Sequence, residues 1–200
     1  MERPRVLIVY GTGYGQTAKI AKQIGDRLAD RGCLIDERYG KHLTLDRPLV
    51  HYDGVLVGAS IYVNQHQSYI VEFARAHAPY LAEMPTGFFS VSLTAAAPTD
   101  EGRRQAHAAL ERFVGRTGWR PGMMMAFAGA LTYSRYGLLE TRIMQAIAAM
   151  TVGDTDISRD YEYTDWEEVR AFAEAYFETL GVEVQARPLS EDESTKARRR

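Results

Sequence analysis

Apolar positions along the chain fall into two alternating rhythms. Short unbroken runs, RVLIVY (5–10), CLID (33–36), GVLVGAS (54–60), GFFSVSL (87–93) and MMMAFAGAL (123–131), have the length and content of strands buried on both faces. Between them apolar residues recur every three or four positions, the spacing of one helix face. Ile20, Ile24 and Leu28 do so within 17–31, and Ile70, Phe73, Ala74 and His77 do so ahead of Pro79, which is expected to stop that helix. Ala106, Leu110 and Phe113 mark a third helix over 101–117, and Trp166, Val169, Phe172, Ala173 and Phe177 a last one over 165–180. TDWE places Thr164 at the N-cap of that last helix with Glu167 three residues on, a capping box. Five such strands interleaved with helices predict an α/β fold, a doubly wound five-stranded parallel sheet covered on both faces.

One segment breaks the alternation. About thirty residues separate the fifth run from the last helix, where this fold class needs only a short loop. Within them Leu139, Ile143, Ala146, Ile147 and Met150 form a stripe, so 137–150 reads as an inserted amphipathic helix, with DYEYT after it completing the sheet edge. The closing RPLSEDESTKARRR is polar and without period, which predicts one domain over 1–182, inserted at about 132–160, and a disordered tail over 183–200.

Composition narrows the chemistry. An apolar fraction of 46% with 25% charged residues is that of an ordinary globular chain, and a formal charge of −2 without a basic stripe excludes bulk nucleic-acid binding. Cys33 is the only cysteine, so no intrachain disulfide, cysteine zinc site or iron–sulfur cluster can form, and no metal is expected. The N-terminal apolar run is shorter than a signal peptide requires, and no stretch approaches the roughly 20 apolar residues of a membrane span. A cytoplasmic protein with at most peripheral contact at the inner membrane face is expected, and a homo-oligomer is compatible with the sequence.

Candidate chemistry sits in YGTGYGQTAKIA (10–21), which joins a buried strand to a helix, where α/β folds bind phosphates. A dinucleotide fingerprint requires a third glycine where Gln16 stands, although Asp36 at the end of the second strand suits that reading. An NTP loop requires the glycine–lysine pair that is missing here. The remaining reading is a cradle for the terminal monophosphate of FMN. Thr12 and Thr17 offer hydroxyls, Gly11, Gly13 and Gly15 let the backbone turn, and the helix N-terminus faces the anion. The stretch resembles the phosphate loop of the flavodoxin family: Thr12, Gly15, Gln16 and Thr17 fall on matching positions, whereas Gly13 and Tyr14 depart from its hydroxyl-bearing residues. In a flavodoxin-like strand order of 2-1-3-4-5 the ligand crevice opens where the order reverses, between strands one and three. The loop after strand three then brings Ser60, Ile61, Tyr62, Asn64 and His66 to the site, with Tyr62 able to stack on a flavin ring. The loop after strand four brings Ser92, Leu93 and Thr94 to the ring's polar edge.

Longer phrases are similar to a narrower family, the flavodoxin-like, menaquinone-dependent protoporphyrinogen oxidases of haem biosynthesis. They include YDGVLVGASI (52–61), EFARAHAPYLAEMPTGFFSVSL (72–93), AGALTYSRY ending at Tyr136, GDTD (153–156) and YTDWEEVRAFA (163–173), in order along the chain. That family carries a long insertion where this chain has 137–150. The resemblance implies an FMN-dependent dehydrogenase that oxidises protoporphyrinogen IX and passes electrons to a membrane quinone. The cofactor carries the chemistry. No catalytic side chain is assigned, and His51, His77 and His107 read as structural or solvent-facing. Arg103, Arg104 and Arg135 are the candidates for the substrate's propionates. The inserted helix is expected either to dock on a membrane or to pack on the sheet or a second copy. A flavodoxin-type electron carrier and an NAD(P)H-quinone reductase are the alternatives on the same fold, the carrier disfavoured by the small net charge.

Overall fold

The computed structural model describes residues 3–181. Strands and helices alternate: β1 (Arg5–Gly11), α1 (Gln16–Asp30), β2 (Leu34–Tyr39), β3 (Gly54–Tyr62), a short β4 (Gln65–His66), α2 (Ser68–Leu81), β5 (Thr86–Ser92), α3 (Asp100–Thr117) and β6 (Met123–Ala128). After these come β7 (Ala130–Leu131), α4 (Leu138–Thr151), β8 (Tyr161–Glu162) and α5 (Trp166–Thr179). The expected tail, 183–200, lies outside the described residues.

The strands β2, β1, β3, β5 and β6 lie side by side in that order and all run parallel, in registers such as Leu7 opposite Val55 and Val57 opposite Phe88. With the short β4 set aside, this is the expected order 2-1-3-4-5. Alternate residues of β1 feed opposite layers, as a two-residue period requires. Val6 and Ile8 pack with Ile20, Ile24 and Leu28 of α1 and Val169, Phe172 and Phe177 of α5; Leu7 and Val9 pack with Ile70 and Phe73 of α2 and Leu110 and Phe113 of α3. Each of these side chains is buried, a contribution of about 1.5–3 kcal/mol apiece before conformational entropy is counted.

Four expectations are corrected. The helix α2 runs through Pro79 to Leu81: in the last turn a proline forfeits only the bond to the Arg75 carbonyl, and the extra residues bring Leu81 into the core. The fifth apolar run breaks at Gly129, whose N–H donates to Ser92 O at 3.0 Å; β7 then leaves the sheet and pairs antiparallel with β8, so DYEYT makes a separate ribbon. The N-cap of α5 is Asp165, whose carboxylate accepts from Glu167 N at 2.8 Å and Glu168 N at 3.3 Å, because the Thr164 hydroxyl is engaged elsewhere. Finally, α4 turns Met144, Ile147 and Ala148 inward onto Leu93, Leu131 and Tyr133, leaving Leu139, Ala146 and Met150 exposed and Ile143 at 37%. The predicted stripe is thus mostly the outer face of this helix. No helix among the described residues is long and apolar enough to cross a membrane.

Candidate functional site at the carboxyl ends of the strands

The loop between β1 and α1 closes on itself through Gly15 N donating to Thr12 Oγ1 at 2.9 Å. Gly15 is left-handed (φ 101°), a conformation that side-chain-bearing residues rarely take, and it caps α1 with no side chain of its own. A Cβ on Gly11 would lie 2.7 Å from Ile70 Cγ1, so that glycine permits α2 to approach; around Gly13 the space is open. The N-terminus of α1 therefore has no capping side chain and no acidic residue in its first turn, the condition for receiving an anion. Beside it Thr17 is wholly buried, and its Oγ1 has no hydrogen-bond partner among the described residues. An orphaned hydroxyl costs about 1–3 kcal/mol, a cost that a phosphate oxygen would remove.

This loop is one end of a cleft of about 600 Å³, within the range of small-molecule sites. Thr12, Gly13, Tyr14, Gln16 and Thr17 line it from the β1 loop, Ser60, Ile61 and Tyr62 from the end of β3, and Ser92, Leu93 and Thr94 from the end of β5. The structure thus brings the predicted residues together, with Gly15 shaping the turn from outside the lining. Ser60 Oγ accepts from Gln67 Nε2, and Ser92 Oγ accepts from Ala95 N at 3.2 Å, so both loops are held by short local bonds.

Other predicted residues lie elsewhere. His66 is buried under α3 between Phe88 and Phe113, with Nε2 2.9 Å from Ser90 Oγ. Burial first, then the charges of Arg112 and Arg116, lowers its pKa to about 4, so it is a neutral core histidine. Arg103 and Arg104 pair with Asp100 and Glu101 on the exposed first turn of α3 and do not line the cleft. Arg135 donates to the Tyr14 carbonyl at 2.9 Å, bracing the backbone of the β1–α1 loop. Instead α3 presents Gln105, Ala109 and Arg112, spaced by four and three along one face, with Arg112 donating to Asn64 Oδ1 at 3.0 Å. Helical spacing puts these three on one face, and where α3 crosses the end of the sheet makes that face border the cleft. Tyr136, Met144 and Ile147 of the insertion also line the cleft, and only the path of the insertion across the sheet end puts them there.

That path is fixed by contacts to the β1–α1 loop and α1. Gln16 Nε2 donates to Thr164 Oγ1 at 2.8 Å, and Thr164 Oγ1 donates onward to Ala128 O at 2.7 Å. Lys19 pairs with Glu162 at 2.9 Å, and the rings of Tyr14 and Tyr136 meet edge to face at 4.5 Å. Insertion and cradle are therefore one structure.

The sequence profile of the flavodoxin domain family matches residues 7–158. A solved short-chain flavodoxin associated with a bacterial microcompartment superposes with a TM-score of 0.57 at 13% identity, covering 88% of this chain and 99% of that one. The chain belongs to the flavodoxin-domain proteins, which points to a flavin as its cofactor class. It is 34% identical over 191 residues to protoporphyrinogen IX dehydrogenase (quinone) of Leishmania major, covering 94% of this chain and 80% of that one. Over 169 residues it is also 34% identical to the Escherichia coli K12 protein of the same name, covering 84% and 92%. Within the flavodoxin-domain class it is a member of that dehydrogenase family.

Proposed function

We propose that this protein is an FMN-dependent dehydrogenase that oxidises protoporphyrinogen IX and passes the electrons to a quinone. The observation that carries the reading is the continuity of one cleft from an anion cradle to the loops and insertion above it, in a chain 34% identical to dehydrogenases of that name. Thr12 and Thr17 hydroxyls and the first N–H groups of α1 would hold the cofactor phosphate. Thr12 Oγ1 already accepts from Gly15 N, so its proton remains to be donated. The backbone of Gly13, Tyr14 and Gln16 would border the same anion, with left-handed Gly15 setting the turn. Ser60, Ile61 and Tyr62 would flank the ring on one side, and Ser92, Leu93 and Thr94 would meet its polar edge. When bound, FMN supplies a ring that takes a hydride equivalent from carbon and can return electrons to a quinone singly or in pairs. The side chains bind, orient and shield; among the described residues lining the cleft none is a carboxylate or histidine suited to general base work.

The purified protein is expected to be yellow and to release FMN. Anaerobic protoporphyrinogen should bleach the flavin band, and a menaquinone analogue should restore it. Bleaching by NADPH but not by protoporphyrinogen would overturn the reading in favour of a quinone reductase.

A further inference from the structure

Among the described residues lining the cleft, Arg112 is the one formally charged side chain. Along α3 and beyond, Arg103 is neutralised by Asp100, Arg104 by Glu101 and Arg120 by Glu111, while Arg116 lies away from the cleft lining. Arg112 differs. The partner recorded for it among the described residues is a neutral amide, Asn64 Oδ1, which engages one of five donors, orients the guanidinium and leaves its charge for an anion.

Asn64 is itself held in an unusual way. Tyr62 and Gln65 pair across a two-residue hairpin whose central residues, Val63 (φ 44°) and Asn64 (φ 63°), are both left-handed. A β-branched valine in that conformation is strained and persists only where its surroundings fix the turn. Burial of His66, which β4 carries into the core, does so here. The hairpin tip therefore presents Asn64, and through it Arg112, as a fixed wall of the cleft.

The phosphate cradle follows β1, whereas Arg112 rides on α3 after β5, with β3 between the two strands. The cleft thus has two anion-seeking places on separate elements, with Leu93, Met144 and Ile147 among its apolar lining. One suits the cofactor phosphate. We infer that the other, Arg112 steadied by Asn64, is a subsite for a substrate carboxylate, a propionate of protoporphyrinogen IX. This assignment rests on the dehydrogenase reading above.

Esterification of the propionates separates charge recognition from every other effect. Flavin-loaded wild type, Arg112→Gln, Arg112→Lys and Asn64→Gly would be assayed with protoporphyrinogen and with its dimethyl ester. In parallel, the porphyrin product and its dimethyl ester would be titrated against each protein by fluorescence. Glycine keeps the left-handed turn while removing the amide. Arg112→Gln is expected to lower kcat/KM and porphyrin affinity about tenfold for the di-acid and hardly at all for the diester. Arg112→Lys should recover part of the loss, and Asn64→Gly should show a smaller loss of the same kind. Equal losses for acid and ester, or loss of bound flavin from Arg112→Gln, would overturn the subsite. Should the wild type oxidise neither compound, the dehydrogenase reading falls separately, and the porphyrin titration still decides for or against Arg112.

Discussion

Two buried polar side chains carry opposite lessons about cost. Thr17 Oγ1 lies at the anion cradle with no partner, so the protein bears an unsatisfied hydroxyl until a ligand arrives. Thr17→Val is therefore expected to raise the melting temperature of the flavin-free protein while weakening FMN binding by about 1–3 kcal/mol. Thermal denaturation and flavin titration check the two signs, and a less stable apoprotein would mean that the hydroxyl has an internal partner. His66 is satisfied by Ser90 but is kept neutral, its pKa lowered from 6.5 to about 4. The unfolded chain binds the proton more readily, so stability rises with pH and is lost as pH falls from about 6.5 to 4, by about 3 kcal/mol in all. Replacing His66 with Gln should cost stability at neutral pH and flatten the decline across that window in urea titrations. An unchanged slope would show that His66 does not titrate with folding.

At the scale of elements, the short reach of sequence signals explains what was legible. The five parallel strands and their helices follow from the two apolar rhythms, because buried strands and amphipathic helices have different periods. The loops at the strand ends were legible for a topological reason, since the order reversal between β1 and β3 dictates where a crevice opens. The neighbours of Thr164 in sequence make a capping box, while Gln16 and Ala128, distant in sequence, claim its hydroxyl. Asp165 caps instead. The two adjacent residues should therefore separate on mutation. Asp165→Ala is expected to cost about 1 kcal/mol of stability with flavin affinity retained, and Thr164→Val to weaken flavin binding by releasing Gln16. Chemical denaturation and FMN titration of both variants check this, and the reverse pattern would restore Thr164 as the cap. Arg112 and the inward face of α4 were not legible, because each depends on where one element crosses another.

Across the whole molecule the sheet supplies a rigid floor and the insertion a wall. The insertion has its own apolar cluster around Leu131, Tyr133 and Ala148, closed over Leu93 at the end of β5, and its outer face leaves Leu138, Leu139 and Met150 in solvent. With a formal charge of −2 the protein has little field to steer it over long distances, so recognition rests on the cleft and its rim. The bond between Gln16 and Thr164 spans 148 positions of the chain. A ribosome adding roughly 5–20 residues per second makes the phosphate loop about 7–30 seconds before the residue that braces it. The loop therefore gains its brace only after β8 has been made, and a nascent protein halted anywhere before that strand carries the loop's sequence without it.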